Sequence, residues 1–152
     1  MTRTVDLIEM FMNYQAWGRQ YHEENKHLVV LLQILPDLTS TIAHDVIVTL
    51  SSTEEMEQLF REIFNDGKTH WGRIIVAFAL TTHLVKHNKK VSHCQVKNTL
   101  MQILTEQQHW IDENGGWDNF CDFVKMHNRN KSTSFRMVRL LIHFGMLLVG
   151  YI

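Results

Sequence analysis

Proline is nearly absent: Pro36 is the only one in 152 residues, and there are only seven glycines. These two residue types punctuate a chain into short elements and turns. Their scarcity favours long uninterrupted elements and an all-α chain. Cysteine is as scarce. Cys94 and Cys121 lie in segments of helical pattern without metal-ligand spacing, so a reducing cytosolic setting is expected. Positive charge is not in excess either. Fifteen Lys+Arg against 16 Asp+Glu give a net charge of -1, which argues against phosphate-driven binding to nucleic acid. The opening residues, Met-Thr-Arg-Thr-Val-Asp, are not followed by an apolar run. A secretory signal is therefore not expected, and the sequon Asn130-Lys131-Ser132 is expected to carry no sugar. There is no internal repeat and no low-complexity stretch.

What is present is one domain, residues 1–152, long enough to bury a true core. Its most informative stretch runs from Asn65 to His87. The turn signal Asp66-Gly67 leads into His70-Trp71-Gly72-Arg73, and an almost continuous apolar run follows from Ile74 to Leu80. Such a run suits a buried strand or a buried helix. The apolar character returns at Leu84 and Val85, so a helix over about 71–87 is predicted. A helix apolar on nearly every face must be surrounded. Arg73 is then a permanent charge in the first turn of a core helix, and it needs a partner or a route to the surface.

The rest reads as helices around that one. Val5 to about Tyr21 has helical spacing, and Leu28 to Leu35 forms a second apolar run that is expected to stop at Pro36. Thr39–Leu50 is rich in Thr, Ile and Val and is ambiguous between strand and short irregular helix. Ser52-Thr53-Glu54-Glu55 predicts a capping box opening a helix with Met56, Leu59, Phe60, Ile63 and Phe64 on one face. Ser92–Ile111 is predicted as one helix, Trp117–Val124 as a short one, and Lys125–Ser134 as a loop. Phe135–Ile152 closes the chain as a hydrophobic helix. Its last part, Leu140–Ile152, would span only about 20 Å, short of a hydrocarbon core of roughly 30 Å. It is expected either to fold onto the body or to act as a short membrane anchor with Arg136 and Arg139 snorkelling.

Two segments resemble the Bcl-2 apoptosis-regulator family. His70-Trp71-Gly72-Arg73, with Glu62–Gly67 before it and Ile74–Phe78 after it, is similar to the first homology motif. Trp110-Ile111-Asp112-Glu113-Asn114-Gly115-Gly116-Trp117-Asp118-Asn119-Phe120 is similar to the second, at the family's order and separation. Three departures stand out. His70 replaces the usual Asn, and the turn between Gly67 and Trp71 is one residue longer. The third motif would fall on Leu32–Asp37, with Pro36 in place of Gly. The last departure would make this chain poor at presenting its own third motif as a helix, which favours the pro-survival side. The short joint between the first two helices resembles virus-encoded homologues.

The resemblance implies an all-α, Bcl-2-like helical bundle that binds death-motif (BH3) helices of pro-apoptotic family members in a surface groove and so inhibits apoptosis. By position, Arg73 would meet the ligand's Asp. Gly72 would admit the ligand backbone, and His70 would lie beside its polar face. Leu59, Ile63, Ile75 and Val76 would form groove floor and wall, with Glu62 at the ligand site, and the second helix would supply rim. Trp71, Gly115, Gly116 and Trp117 would be structural. The implied setting is the host-cell cytoplasm, with association to mitochondrial outer membrane or endoplasmic reticulum.

The residues alone keep blander readings open. Arg73 would equally suit a salt bridge to Asp66 or Glu62, and His70 a surface cap. His83 and His87 are i, i+4 and could begin a metal site, but they lack a third ligand and read as helix-surface histidines. Cys121 reads as an inert buried thiol. No Ser/His/Asp, phosphate-loop or metal signature appears, so neither an enzyme nor a cofactor is expected. Rival functions are a pro-apoptotic or membrane-perturbing member of the same fold, or a self-associating helical protein, including a homodimer.

Overall fold

The structure, a computed structural model, describes residues 2–17, 25–39 and 49–128. Among them the chain forms seven helices and no strand: α1 (Thr4–Trp17), α2 (Lys26–Thr39), α3 (Thr53–Glu62), α4 (Trp71–His87), α5 (His93–Glu106), α6 (Gln108–Glu113) and α7 (Gly116–Asn128). The all-α bundle matches the expectation. So do the bounds of the central helix α4, in which every residue from Trp71 to Leu84 is buried.

A helix without a polar face needs neighbours all round. α2 and α5 pack along α4, α1 packs on α5 and α2, α3 lies on α5, and α7 joins α2 and α6. The largest fully buried side chains include Phe11 of α1, Phe60 of α3, Phe78 of α4 and Phe120 of α7. Phe11 meets Phe78 edge-on at 5.0 Å. Each such ring contributes about 1.5–3 kcal/mol by leaving water. Within α4 the buried Thr81 hydroxyl donates to the Ala77 carbonyl at 2.9 Å, so it needs no outside partner.

Local signals fix where the helices begin. Ser52 accepts from the Glu55 amide at 3.2 Å, as the capping box predicts. The return arm differs: Glu55 reaches the amide and hydroxyl of Ser51, not Ser52. A complete capping box, unread in the sequence, opens α5, where Ser92 and Gln95 cap each other. Between α4 and α5 the buried Asn88 donates to the Leu50 carbonyl at 2.9 Å and accepts from the amides of Lys90 and Val91. One side chain thus shapes the turn and ties it to the start of α3.

Four expectations are corrected. α2 does not stop at Pro36 but continues to Thr39. Proline removes one intrahelical donor, yet Leu28, Leu31, Ile34 and Leu35 are all buried in the core, which holds the helix in place. The predicted Ser92–Ile111 helix is two, α5 and α6, meeting at Gln107. α7 runs on to Asn128, past the predicted Val124 and into the predicted loop. His83 is buried, not on the helix surface, and its ring lies 4.5 Å from that of the exposed His87. Cys121 is buried, and burial pushes its thiol pKa up. The C-terminal segment 135–152, the 40–48 stretch and most of the joint between α1 and α2 lie outside the described residues.

One polar cluster fastens the far ends of this body together. His27, at the start of α2, is buried with its Nδ1 2.7 Å from the Thr2 hydroxyl and its Nε2 2.8 Å from an Asp118 carboxylate oxygen. Lys26 reaches the same oxygen at 2.9 Å. Lys26 first, then His27, hold the Asp118 carboxyl down to about 2.

Candidate functional site

The site grows out of the turn between α3 and α4. After Glu62 the chain descends through tight turns, with the Ile63 amide donating to the Phe60 carbonyl and the Phe64 amide to that of Arg61. Gly67, at φ +74°, then reverses it. That angle is the left-handed region where glycine alone avoids a Cβ clash. The Asp66 carboxylate accepts from the Lys68 amide at 3.0 Å, which locks the turn. His70 is extended (φ -156°, ψ 168°), and its carbonyl receives the first amides of α4.

Arg73, in the first turn of α4, points back at this loop. Its Nη2 donates to Asp66 Oδ2 at 2.7 Å and its Nη1 to Asp66 Oδ1, with Nη1 also donating to the Lys68 carbonyl at 2.6 Å. The Arg73 side chain is only 10% exposed, whereas that of Asp66 is 44% exposed. A buried guanidinium is costly unless paired, and a carboxylate held end-on by both Nη atoms is the strong form of such a pair. Of the two internal acids the sequence offered, Asp66 grips Arg73 end-on, and Glu62 accepts from Asn65. The Arg73 guanidinium, followed by the Lys68 amide, holds the Asp66 carboxyl far below the usual carboxylate range. Burial, with the Arg73 charge second, lowers the pKa of the half-buried His70. The His70 imidazole does not cap the helix.

The apolar candidates Leu59, Ile63, Ile75 and Val76 all belong to the hydrophobic core cluster. They are closed off, however, with no more than 3% of any of them exposed. Gly72 is buried as well. In this conformation they are enclosed in the core and do not form the open groove floor the sequence predicts. A surface hollow of about 280 Å³ lies elsewhere, between Arg61, Glu62 and Phe64 on one side and Ile103, Glu106 and Gln107 on the other. Of the predicted site residues only Glu62 lines it.

The residues expected to be structural come together closely. The Trp71 ring lies 5.0 Å from that of Trp110, 5.5 Å from Trp117 and 5.7 Å from Phe120. Trp117 donates from its indole to the Thr4 hydroxyl at 3.1 Å. Gly115 (φ +88°) and Gly116 (φ +66°) form the reversal that brings Trp117 back toward Trp110. The first and second motifs therefore share one aromatic cluster at the start of α4. No three His, Cys, Asp or Glu among the described residues are grouped so as to hold a metal ion.

The profile of the Bcl-2 family of apoptosis regulator proteins matches residues 26–117, which takes in the first motif, the helix after it and the second motif as far as Trp117. The chain belongs to the Bcl-2 family. It is similar to Bcl-2-like protein 1 of Rattus norvegicus, 34% identical over 91 residues, covering 57% of this chain and 37% of that protein. To Bcl-2-like protein 1 of Homo sapiens it is 31% identical over 105 residues, covering 66% and 42%. It is also 31% identical over 77 residues to the anti-apoptotic protein NR13 of Coturnix japonica, covering 47% and 44%. The chain thus spans less than half the length of the curated relatives it matches. No solved structure is a significant match. The family is one of apoptosis regulator proteins. No described helix is long and apolar enough to cross a membrane.

Proposed function

We propose that this Bcl-2 family protein promotes survival by holding the BH3 helix of a pro-apoptotic relative between α2, α3 and α4, with Arg73 anchoring the ligand's aspartate. The observation that carries this reading is the state of Arg73. A guanidinium nine-tenths buried at the head of the core helix already grips a carboxylate end-on, and that carboxylate sits at the solvent edge. A ligand Asp presented there would meet the same donors. Ligand entry then requires the helices around α4 to part and uncover Leu59, Ile63, Ile75 and Val76, which are buried. Glu62 and His70 are both half-buried.

The pro-survival direction is supported by the anti-apoptotic relative NR13. Pro36 no longer adds to it. The third-motif segment is helical through Pro36, so a pro-apoptotic role in which this segment is the ligand stands as the second reading. The short joint between α1 and α2 supports a virus-encoded type acting in the host cytoplasm or at an intracellular membrane.

Calorimetric titration of the full chain against a panel of BH3 peptides, with Asp-to-Ala peptides as controls, tests the receptor reading. Sub-micromolar binding that the control loses is the expected result. Absence of binding to every peptide rejects it and moves attention to self-association or membrane action.

A further inference from the structure

We propose that Asp66 is a built-in competitor for the ligand's carboxylate, so that a ligand binds Arg73 by exchange and not by addition. This rests on the receptor reading and concerns the regulation of the same site.

The geometry leaves one way in. Arg73 Nε is buried, so its side-on edge cannot be approached from solvent. The accessible edge is the end-on pair of Nη atoms, and Asp66 occupies both while the Lys68 carbonyl takes a second proton of Nη1. A second carboxylate has no pair of donors left at that edge.

The two partners are unequal in what they lose on parting. Asp66 is close to half exposed and would be hydrated at once when released. Its turn would persist, because Gly67 and the Lys68 amide fix the backbone independently of Arg73. Arg73 is buried and cannot follow it into water, so it must take another carboxylate in the same step. The pair therefore admits ligands that bring an acid to this point and resists those that do not. The internal acid lowers apparent affinity by the fraction of molecules it keeps occupied. It also sharpens selection for the ligand's Asp, since a neutral ligand gains nothing from displacing Asp66.

The test is a two-by-two titration on the full chain. Wild type and Asp66→Asn are each titrated with one BH3 peptide and with the same peptide carrying Asn in place of its Asp. Asparagine keeps an acceptor for the Lys68 amide, and circular dichroism checks the fold. Should Asp66→Asn unfold, Asp66→Ser, which also keeps a turn acceptor, takes its place. The expected result is a five- to tenfold gain for Asp66→Asn with the acidic peptide and no gain with the neutral one. Equal affinity of both proteins for the acidic peptide overturns the competitor and leaves the receptor reading standing. An equal gain for both peptides also overturns it, because it would mean a general loosening. No binding by either protein to either peptide rejects the receptor reading and the competitor with it.

Discussion

The indole of Trp71 lies 5.5 Å from the indole of Trp117, tilted at 50° to it. One belongs to the first motif and the other to the second, 46 positions along the chain in the numbering. The two motifs are thus halves of one packing unit, and the head of α4, where Arg73 stands, is held by the start of α7. The first prediction follows from this arrangement.

Trp117→Ala should cost about 3–5 kcal/mol of folding stability, the range for removing a large buried aromatic. It removes the contacts with Trp71, Phe78 and Phe120 and the hydrogen bond to Thr4. Urea unfolding followed by far-ultraviolet dichroism measures it. A loss below about 1 kcal/mol, the scale of one hydrogen bond, would show that the cluster does not hold the motifs together.

Gly115→Ala should destabilise by about 1–2 kcal/mol, because φ +88° is left-handed. A Cβ there would also meet the Asn119 Cβ at 2.9 Å. Thermal unfolding of the variant beside wild type is sufficient to check it, and an unchanged midpoint would contradict it.

Arg73→Ala should weaken BH3-peptide binding by more than about 1.5 kcal/mol, the scale of a hydrogen bond to a charged group, while helicity stays intact. Calorimetry gives the affinity. Unchanged binding would remove Arg73 from the ligand site.

Pro36→Ala should stabilise the protein by about 1–3 kcal/mol, since α2 now carries a residue that withholds a helical hydrogen bond. The urea midpoint should rise at constant slope. A fall would show that proline suits this position in the folded chain.

His70 sets a pH dependence. Its pKa is lowered in the folded protein, so on acidification the unfolded chain takes up this proton first. Stability from this group is then complete above the ordinary histidine value of about 6.5 and is lost as pH falls below it. His70→Gln should flatten the decline in unfolding free energy between about pH 7 and pH 5.5 relative to wild type. Parallel curves for the two proteins would count against the assignment.

How far the sequence could be read depended on the range of the interaction. The bounds of α4 were legible because a run without polar faces can only be central, and the apolar face of α3 followed from simple periodicity. Asp66 was a visible partner for Arg73 because it lies seven positions away, in the turn that Gly67 marks. Periodicity could not say whether the face bearing Leu59 and Ile63 is open or sealed, since an apolar stripe looks the same in both cases. α7 outran its predicted end because Lys125 and Met126 break the pattern while the helix continues. The contact of His27 with Asp118 bridges 91 positions, and no local signal announces it.

That contact also bears on how the molecule comes apart. Through His27, Thr2 at the beginning of the described chain is wired to the first turn of α7, and Thr4 is wired to Trp117 beside it. Elements linked in this way open as one cooperative unit. Amide protons of α1, the head of α2 and α7 should then exchange with deuterium together, and an N-terminal fusion that displaces Thr2 should speed exchange in α7.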